Sequence, residues 1–317
     1  MMLDHIYITH RPLMFHIAYR MLGSVSDAED IVQDVFSQYM QMDRDGIVND
    51  RAYLAKMTTN RCLNLLKSAR RVREAYMGPW LPEPLPADVG TGTHDFAERR
   101  ENIGYAYVVL LQRLSPLERA VYLSREALGF EYRDIAGMLD KTEVNCRKIF
   151  SRARNKLLEA TDNKPNRTRR KTAQATEHEE QTRMADTPTE SQEQFVEAFL
   201  RACDTGDFKP LLSLLLDEVT LLSDGGGKVR AALNPIRGID RVRAFYEGLA
   251  AKGVFCEGFE AVSINGEPGI ARRDDGVVTM VITTEREPEG SRIRTIYMVL
   301  NPDKLRQFNQ SSPGTYR

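Results

Sequence analysis

Apolar residues along the first 75 positions recur with the spacing of α-helices. Positions 13, 14, 17, 18, 21 and 22 follow the helical period, and Gly23 ends the run. A second stretch begins after Ser26, which we predict to be the N-cap because Glu29 follows three residues later. A third covers about residues 50 to 72. The pattern predicts three helices packed as one small bundle over residues 1–75.

Prolines and glycines cluster after this bundle, so residues 76–100 are predicted to be a linker. The linker contains PWLPEPL, with the only tryptophan of the chain. Helical periodicity resumes over residues 101–160, where Ser115, Pro116 and Glu118 form a start signal. Two short helices joined by the polar turn DKTE then predict a helix-turn-helix.

The remaining sequence divides into a polar segment and a mixed α and β pattern. Residues 161–190 contain no aromatic residue and are predicted to be a mobile tether. Residues 191–317 show two helices, strand-like EVTLLS and KVRAAL around DGGGK, a further helix and four β-rich runs. This order predicts an α+β domain built on a curved antiparallel sheet.

Composition excludes several classes of protein. The chain has 317 residues, 42% of them hydrophobic and 28% charged, with a formal net charge of −1. No apolar run approaches the roughly 18 residues needed to span a bilayer, and the N-terminus lacks the apolar segment of a signal peptide. We therefore expect a cytoplasmic protein. The four cysteines are far apart without zinc-ligand spacing, so we expect no metal and no cofactor.

One polar face of the third helix suits nucleic acid. Its cations could bind phosphates and its amides could read unstacked bases. The alternative is an ordinary solvated helix face. The residues of this face are Lys56, Asn60, Asn64, Lys67 and Arg71.

The second helix of the helix-turn-helix carries a second set of polar and charged residues suited to nucleic acid, at its start and on its outward side. These positions would meet a major groove, whereas the alternative is a plain helical hairpin with a charged surface. Between Lys141 and Lys171 there are eleven Lys or Arg and three acidic residues, which favours DNA. The set comprises Glu143, Asn145, Arg147, Lys148 and Arg152.

The sequence DAEDIVQD gives the second helix of the bundle an acidic side. Asp27, Asp30 and Asp34 lie along it, with Gln33 beside them. This surface suits a basic protein partner, although acids in a first helical turn also complement the helix dipole.

These motifs together resemble a known family. AYRMLGSVSDAEDIVQDVF, RAYLAKMTTNRCLNLLKSARR, LSPLERAVYL and YRDIAGMLDKTEVNCRKIFSRARNKL look like regions two and four of extracytoplasmic-function (ECF) sigma factors of the sigma-70 family. WLPEPL, DGGGK and NPDKL resemble the subgroup with a fused C-terminal SnoaL-like domain, an NTF2-like cone-shaped barrel.

The resemblance implies a role for each part of the chain. The acidic helix (Asp27, Asp30, Gln33 and Asp34) would bind the clamp helices of RNA polymerase core. The loop DRDGIVND and the third helix, which follows it, would melt and read the −10 promoter element, and the helix from Glu143 would read the −35 element. We expect a monomer when free, no membrane partner and no reaction of its own.

The C-terminal domain has several open interpretations. Asp224, Asp274 and Asp303 with Tyr246 or Tyr297 could support proton transfer, but no spacing picks out a pair and all five histidines precede residue 191. DGGGK lacks the Ser or Thr that follows the lysine of a phosphate-binding loop. A small-molecule or protein ligand of this domain stays open.

We favour a regulatory domain that acts in cis by holding PWLPEPL against DGGGK and NPDKL. Proline stiffens the segment, and Trp80 would be its apolar anchor; alternatively, Trp80 fills the nearest bundle. The expected contact residues are Trp80, Leu81, Pro82, Glu83, Pro84 and Leu85, then Asp224, Gly225, Gly226, Gly227 and Lys228, and Asn301, Pro302, Asp303, Lys304 and Leu305. The alternative function is a stand-alone helix-turn-helix regulator whose SnoaL-like domain senses a ligand.

Overall fold

The chain divides into two compact units. The computed structural model describes residues 2–43, 46–74, 76–87, 104–161, 190–255, 257–288 and 290–310. One unit consists of Met1–Val109 together with Thr189–Arg317, and the other of Leu110–Pro188. Most of the tether predicted over residues 161–190 lies outside the described residues, so the tether and the five domain boundaries stay predictions.

The N-terminal bundle contains the three expected helices. They are α1 (Met2–Leu22), α2 (Val25–Gln41) and α3 (Asp50–Glu74). Gly23 ends α1 with a φ of +68°, a conformation that glycine adopts without strain. The N-cap of α2 is Ser24 and not Ser26, because the Ser24 side chain accepts a hydrogen bond from the Asp27 amide. The predicted cap was wrong by two residues.

The second unit contains the helix-turn-helix. Helix α4 (Tyr105–Leu111) crosses the boundary between the two units. The other helices of the second unit are α5 (Pro116–Glu126), α6 (Tyr132–Leu139) and α7 (Glu143–Thr161). The predicted capping box is confirmed, since Ser115 and Glu118 each accept a hydrogen bond from the other's backbone amide.

Glu118 also connects the start of α5 to α7. Lys156 Nζ lies 2.7 Å and 2.8 Å from the two Glu118 carboxylate oxygens. One carboxylate therefore satisfies a helix terminus and an ion pair at the same time, which fixes α7 against α5.

The C-terminal domain is α+β, as predicted. Its elements are α8 (Glu190–Thr205), α9 (Lys209–Ser213), β1 (Leu215–Asp224), β2 (Ile236–Arg237), α10 (Ile239–Ala250), β3 (Phe259–Ile264), β4 (Glu267–Asp274), β5 (Val277–Arg286), β6 (Ile293–Val299), a 3₁₀ turn (Pro302–Lys304) and α11 (Arg306–Gln310). The six strands form one sheet in the order β2-β1-β6-β5-β4-β3.

Two details of this sheet differ from the sequence-based expectation. The β1–β6 pair is parallel, so the sheet is mixed and not wholly antiparallel. The intervening chain, which includes α10 and four strands, is long enough for the crossover that a parallel pair requires. KVRAAL was expected to be a strand but forms a turn and loop. In the chain between β1 and α10, the residues that pair with β1 are Ile236–Arg237.

Both faces of the sheet carry buried residues, and different elements cover each face. Ile270 and Ile296 point into a core covered by α8, α9 and α10, which we call the helix-covered face. Their neighbours Ala271 and Tyr297 point to the opposite face. We call it the strap-covered face, because Leu81 of the linker segment PWLPEPL (the strap, residues 79–85) packs there. This alternation is the two-residue period of strands.

Aromatic rings fill the core on the helix-covered face. Tyr246 is fully buried, with ring centroids of Phe208 and Phe255 both 5.8 Å away. Close aromatic packing of this kind stabilises a core beyond simple area burial. The rings involved are Phe195, Phe199, Phe208, Tyr246, Phe255 and Phe259.

We expect Glu118→Ala to destabilise the helix-turn-helix by about 1–3 kcal/mol, since it removes a cap and a charge-assisted hydrogen bond. Burial favours a raised pKa at Glu118, but hydrogen bonds from Lys156 and Ser115 outweigh it, so the pKa is lowered. This stabilisation is therefore present above the unfolded-state pKa and is lost as pH falls through the folded value. Hydrogen exchange of the α5 and α7 amides measures the effect.

The matched control is Glu126→Ala, at an exposed position of the same helix. Equal exchange rates in the two variants would contradict the proposed connection between α5 and α7.

Candidate functional site

The buried carboxylate of Asp224 brings three segments of the chain together. Asp224 ends β1 and is 0% exposed. Its Oδ2 accepts hydrogen bonds from the Leu81 amide (2.9 Å) and from Lys304 Nζ (2.8 Å). Its Oδ1 accepts from the Tyr76 hydroxyl (2.5 Å) and the Gly226 amide (3.0 Å). The structure therefore places the strap beside both DGGGK and NPDKL.

Lys304 is the cation of this site. Besides Asp224, its ammonium group donates to the Leu81 carbonyl oxygen at 2.5 Å. It also lies 4.2 Å from the centroid of the Trp80 ring and 4.8 Å from that of Tyr76. Aromatic faces attract a cation, most strongly where water is excluded. The ammonium group is thus surrounded by a carboxylate, a carbonyl and two rings.

The glycines of DGGGK allow the two motifs to approach each other. Gly226 has a φ of +62°, and a Cβ there would lie 2.2 Å from the Asn301 amide nitrogen. Asn301 needs this space because its Nδ2 donates to the Tyr76 hydroxyl at 2.9 Å. Nearby, Lys228 pairs with Asp303 across the same two motifs, at the surface.

Leu81, rather than Trp80, is the deepest residue of the strap. Leu81 is 1% exposed and joins the core of the strap-covered face, whereas Trp80 is only half-buried, above Lys304. The Tyr105 hydroxyl donates to the carbonyl oxygen of the next strap residue, Pro82, at 2.7 Å. Leu81 is therefore the apolar anchor of the strap, and Trp80 contributes through the cation–π contact of its ring with Lys304. Trp80 lies against the C-terminal domain and not in the core of the helical bundle.

Glu83 connects the strap to the N-terminal bundle, a contact that sequence reasoning did not identify. Its carboxylate accepts from Ser24 Oγ (2.8 Å) and from the Val25 amide (2.9 Å) at the start of α2. Its carbonyl oxygen accepts from the Tyr19 hydroxyl at 2.6 Å. Burial raises the pKa of Glu83, against the opposing effect of these hydrogen bonds. The signal for this contact was the serine before the acidic first turn.

The proposed DNA-reading residues occupy two separate helices. On α3, Lys56 and Asn60 are half-buried, whereas Asn64 and Lys67 are exposed. The side chain of Arg71 lies outside the described residues. On α7, all five predicted residues are exposed: Glu143, Asn145, Arg147, Lys148 and Arg152.

Arg147 is partly oriented by its neighbours. Its guanidinium group lies 4.5 Å from the Tyr132 ring centroid and 3.7 Å from the Glu143 carboxylate. The acidic set on α2 is also exposed, and Asp34 pairs with Arg61 of α3 at 3.0 Å. This set is Asp27, Asp30, Gln33 and Asp34. The DNA-binding and polymerase-binding roles of all these residues stay predictions.

The residues considered for proton transfer occupy different surroundings. Asp224 pairs with Lys304, Asp274 with Arg272, and Asp303 with Lys228. Tyr246 belongs to the aromatic core, and Tyr297 donates to Glu285. Within the described ranges, no group of three or more His, Cys, Asp or Glu side chains could hold a metal ion. None of the described helices is long and apolar enough to cross a membrane.

Two segments of the chain match known protein families. Residues 6–72 match Sigma-70 region 2, and residues 106–157 match Sigma-70, region 4. Over 93% of its length, the chain is 29% identical to the ECF RNA polymerase sigma factor SigJ of Mycobacterium tuberculosis, of which 90% is covered. It is 30% identical to the probable ECF RNA polymerase sigma factor SigI of the same species, over 65% of this chain and 64% of that protein.

The solved structures include one that is similar over most of the chain. The crystal structure of Mycobacterium tuberculosis SigJ has a TM-score of 0.70 and 25% sequence identity, and the match covers 95% of this chain and 97% of that one. The similarity includes the C-terminal α+β domain, which is SnoaL-like.

We expect Lys304→Met to lower the free energy of unfolding by about 3–5 kcal/mol, because it leaves the buried Asp224 carboxylate without its cation. The control is Lys228→Met, which breaks a pair whose side chains are 55% and 41% exposed. An exposed pair is worth at most about 1 kcal/mol. Urea denaturation of the full chain compares the two variants, and equal losses would rule out the central role of Lys304.

Proposed function

Since the chain belongs to the sigma-70 family and is homologous to ECF sigma factors, we propose that it directs promoter-specific transcription as a subunit of RNA polymerase. In this proposal it binds core polymerase in the cytoplasm and recognises promoter DNA. Its own role is binding and not catalysis, without a cofactor. The observation that carries the proposal is the match of two separate segments, in order, to regions 2 and 4.

We assign three exposed surfaces to this function. The acidic side of α2 would bind core polymerase, where a positively charged partner complements it. The amide-and-lysine face of α3 would read the −10 element. The start and outward side of α7 would enter the major groove at the −35 element, as recognition helices do.

We further propose that the SnoaL-like domain modulates this activity in cis. The support is the set of contacts that Asp224 and Lys304 make with the strap, because the strap is the linker between the two regions. A domain that binds part of a linker limits how far the segments on either side can separate, because the reach of a flexible linker is set by its free length. A chain ending near residue 165 would lack this restraint.

The decisive experiment is initiation with purified core polymerase on a promoter library. We expect the full chain to co-purify with core and to start transcription at defined sites. The version ending near residue 165 should initiate at a changed level. The alternative, a stand-alone regulator with a ligand-sensing domain, requires no association with core, so failure to co-purify and to initiate would favour it.

We expect Lys148→Ala to weaken binding to promoter duplex and to reduce the slope of log affinity against log salt by about one unit, because each phosphate contact releases a counterion. Arg201→Ala is the control, since Arg201 is an exposed cation of the C-terminal domain. Fluorescence anisotropy from low to moderate salt gives both slopes. If the Lys148 slope equals that of the unsubstituted chain, Lys148 makes no phosphate contact.

A further inference from the structure

Tyr132 connects the exposed guanidinium group of Arg147 to the body of the helix-turn-helix. Tyr132 is the first residue of α6, and Arg147 lies in the second turn of α7. The Arg147 Cζ lies 4.5 Å from the centroid of the Tyr132 ring. A cation at this distance over an aromatic ring is attracted by the negative face of the ring. The contact therefore limits the positions that an otherwise exposed side chain occupies.

The ring of Tyr132 is itself held by two other helices. It packs edge-on against Phe150 of α7, with ring centroids 6.0 Å apart and an interplanar angle of 78°. Arg125, near the end of α5, lies 5.0 Å from the centroid of the same ring. The Nη1 of Arg125 in turn donates to the Phe130 carbonyl oxygen at 3.1 Å and to the Glu131 carboxylate at 3.0 Å. The ring therefore has a fixed position relative to α5 and α7.

A second and weaker restraint on Arg147 comes from Glu143, one turn earlier on the same helix. The Arg147 Nη2 lies 3.7 Å from the Glu143 carboxylate, and the two side chains are 62% and 47% exposed. An exposed ion pair at this spacing contributes little and is screened by salt. The pair therefore orients the arginine but gives way to a partner that binds the guanidinium group more strongly.

A guanidinium group held in this way keeps its hydrogen-bond donors for a planar ligand. Arginine carries five N–H donors in a rigid fork, and contact with an aromatic ring uses the face of the group and not those donors. Immobilising the side chain beforehand also lowers the entropy lost on binding. The first turns of a recognition helix meet base edges in the major groove. There the arginine fork matches guanine, which presents its O6 and N7 acceptors side by side.

We propose that Tyr132 is a positioning residue that presents Arg147 to a guanine of the −35 element, so that the two residues together determine the preferred base at one position. This inference rests on the proposed function and extends it, since it assigns a base to one side chain of α7 and a role to a tyrosine of α6. The orientation distinguishes this role from a phosphate contact. A phosphate contact needs only a cation within reach, whereas a bidentate base contact needs the fork in one orientation.

The test is initiation by the holoenzyme, assembled from core polymerase and the full chain, on a promoter that it uses and whose −35 element is then randomised. We expect guanine to be preferred at one position by about tenfold, the discrimination of a bidentate contact. Replacing that guanine by 7-deazaguanine, which lacks the N7 acceptor, should weaken initiation. Arg147→Ala should remove both the preference and the sensitivity to 7-deazaguanine, at that position alone.

Substitutions of Tyr132 test the positioning role. Tyr132→Leu should reduce the guanine preference by roughly two- to fivefold, the effect of losing an exposed cation–π contact, whereas Tyr132→Phe keeps the ring and the preference. Neither substitution changes the number of cations, so the salt dependence of binding to the promoter duplex should be unchanged. In an Arg147→Ala background, Tyr132→Leu should change the preference no further, because the tyrosine acts through the arginine.

Tyr122→Leu is the matched control for packing, because Tyr122 also stacks on Phe150, with ring centroids 5.6 Å apart. It removes a ring from the same core and should leave the guanine preference unchanged. Circular dichroism reports whether each variant is folded. A fluorinated phenylalanine in place of Tyr132 keeps the shape of the ring but withdraws electrons from its face, so it should reduce the preference even if Tyr132→Leu does not fold.

The inference is overturned if no position of the −35 element depends on Arg147 for its guanine, or if Tyr132→Leu and Tyr122→Leu weaken the preference equally. It is also overturned if the fluorinated ring preserves the full preference, since packing alone would then explain the role of Tyr132. A holoenzyme that initiates normally without such a dependence refutes only the positioning role. A chain that neither co-elutes with core polymerase nor initiates refutes the proposed sigma function, and the inference with it.

Discussion

The rest of the structure depends on one desolvated ion pair, Asp224 with Lys304. Removing two charges from water costs several kcal/mol, and their attraction compensates only when the remaining hydrogen-bonding positions are also filled. Here the strap supplies those partners, through the Leu81 amide and carbonyl, while Tyr76 adds its hydroxyl. The strap cannot leave without exposing or orphaning both charges. A fully satisfied polar network of this kind rigidifies the contact between the strap and the C-terminal domain.

The sheet imposes a second constraint, because it is apolar on both faces. A strand with one wet face alternates apolar and polar residues, whereas β5 has neighbouring buried residues, Val281 and Ile282. Helices α8 to α10 cover one of these faces, and α11 contributes Phe308 to the other. Leu81 and Tyr105 belong to the cluster that covers the other, so the linker and the start of α4 complete the core of the C-terminal domain. The domain and the linker are thus parts of one folding unit.

Local patterns in the sequence predicted most elements of this fold. Helical periodicity located α1 to α3, and the Ser115–Glu118 spacing identified a capping box that the structure contains. The strap and its two partner motifs were also expected together, although that expectation came from a family resemblance. Local signals failed where long-range contacts decided the outcome. KVRAAL has strand-like residues, yet the glycine loop before it is used to approach Asn301.

The contacts that sequence reasoning missed join residues far apart in the chain. Asn265 Nδ2 donates to the Tyr19 hydroxyl at 3.0 Å, yet the two residues are separated by 246 positions, and no periodicity or spacing relates them. Glu267 reads as an ordinary solvent-facing residue of a hairpin turn until Gly104 is seen to lie over it. Such contacts depend on how the sheet edge meets the linker, which is a property of the tertiary packing. A single sequence carries no local signal for them.

Glu83 couples the position of the strap to the electrostatic field at the start of the acidic helix α2. Its carboxylate lies at the N-terminus of α2, where the helix dipole favours negative charge. Asp27 begins the acidic side of that helix within the same first turn. If the strap moves away, the Val25 amide loses its acceptor and the negative charge beside Asp27 disappears, while Ser24 still caps the helix. A change at the linker therefore alters the local field of the surface proposed to bind polymerase, without any need for the helix itself to move.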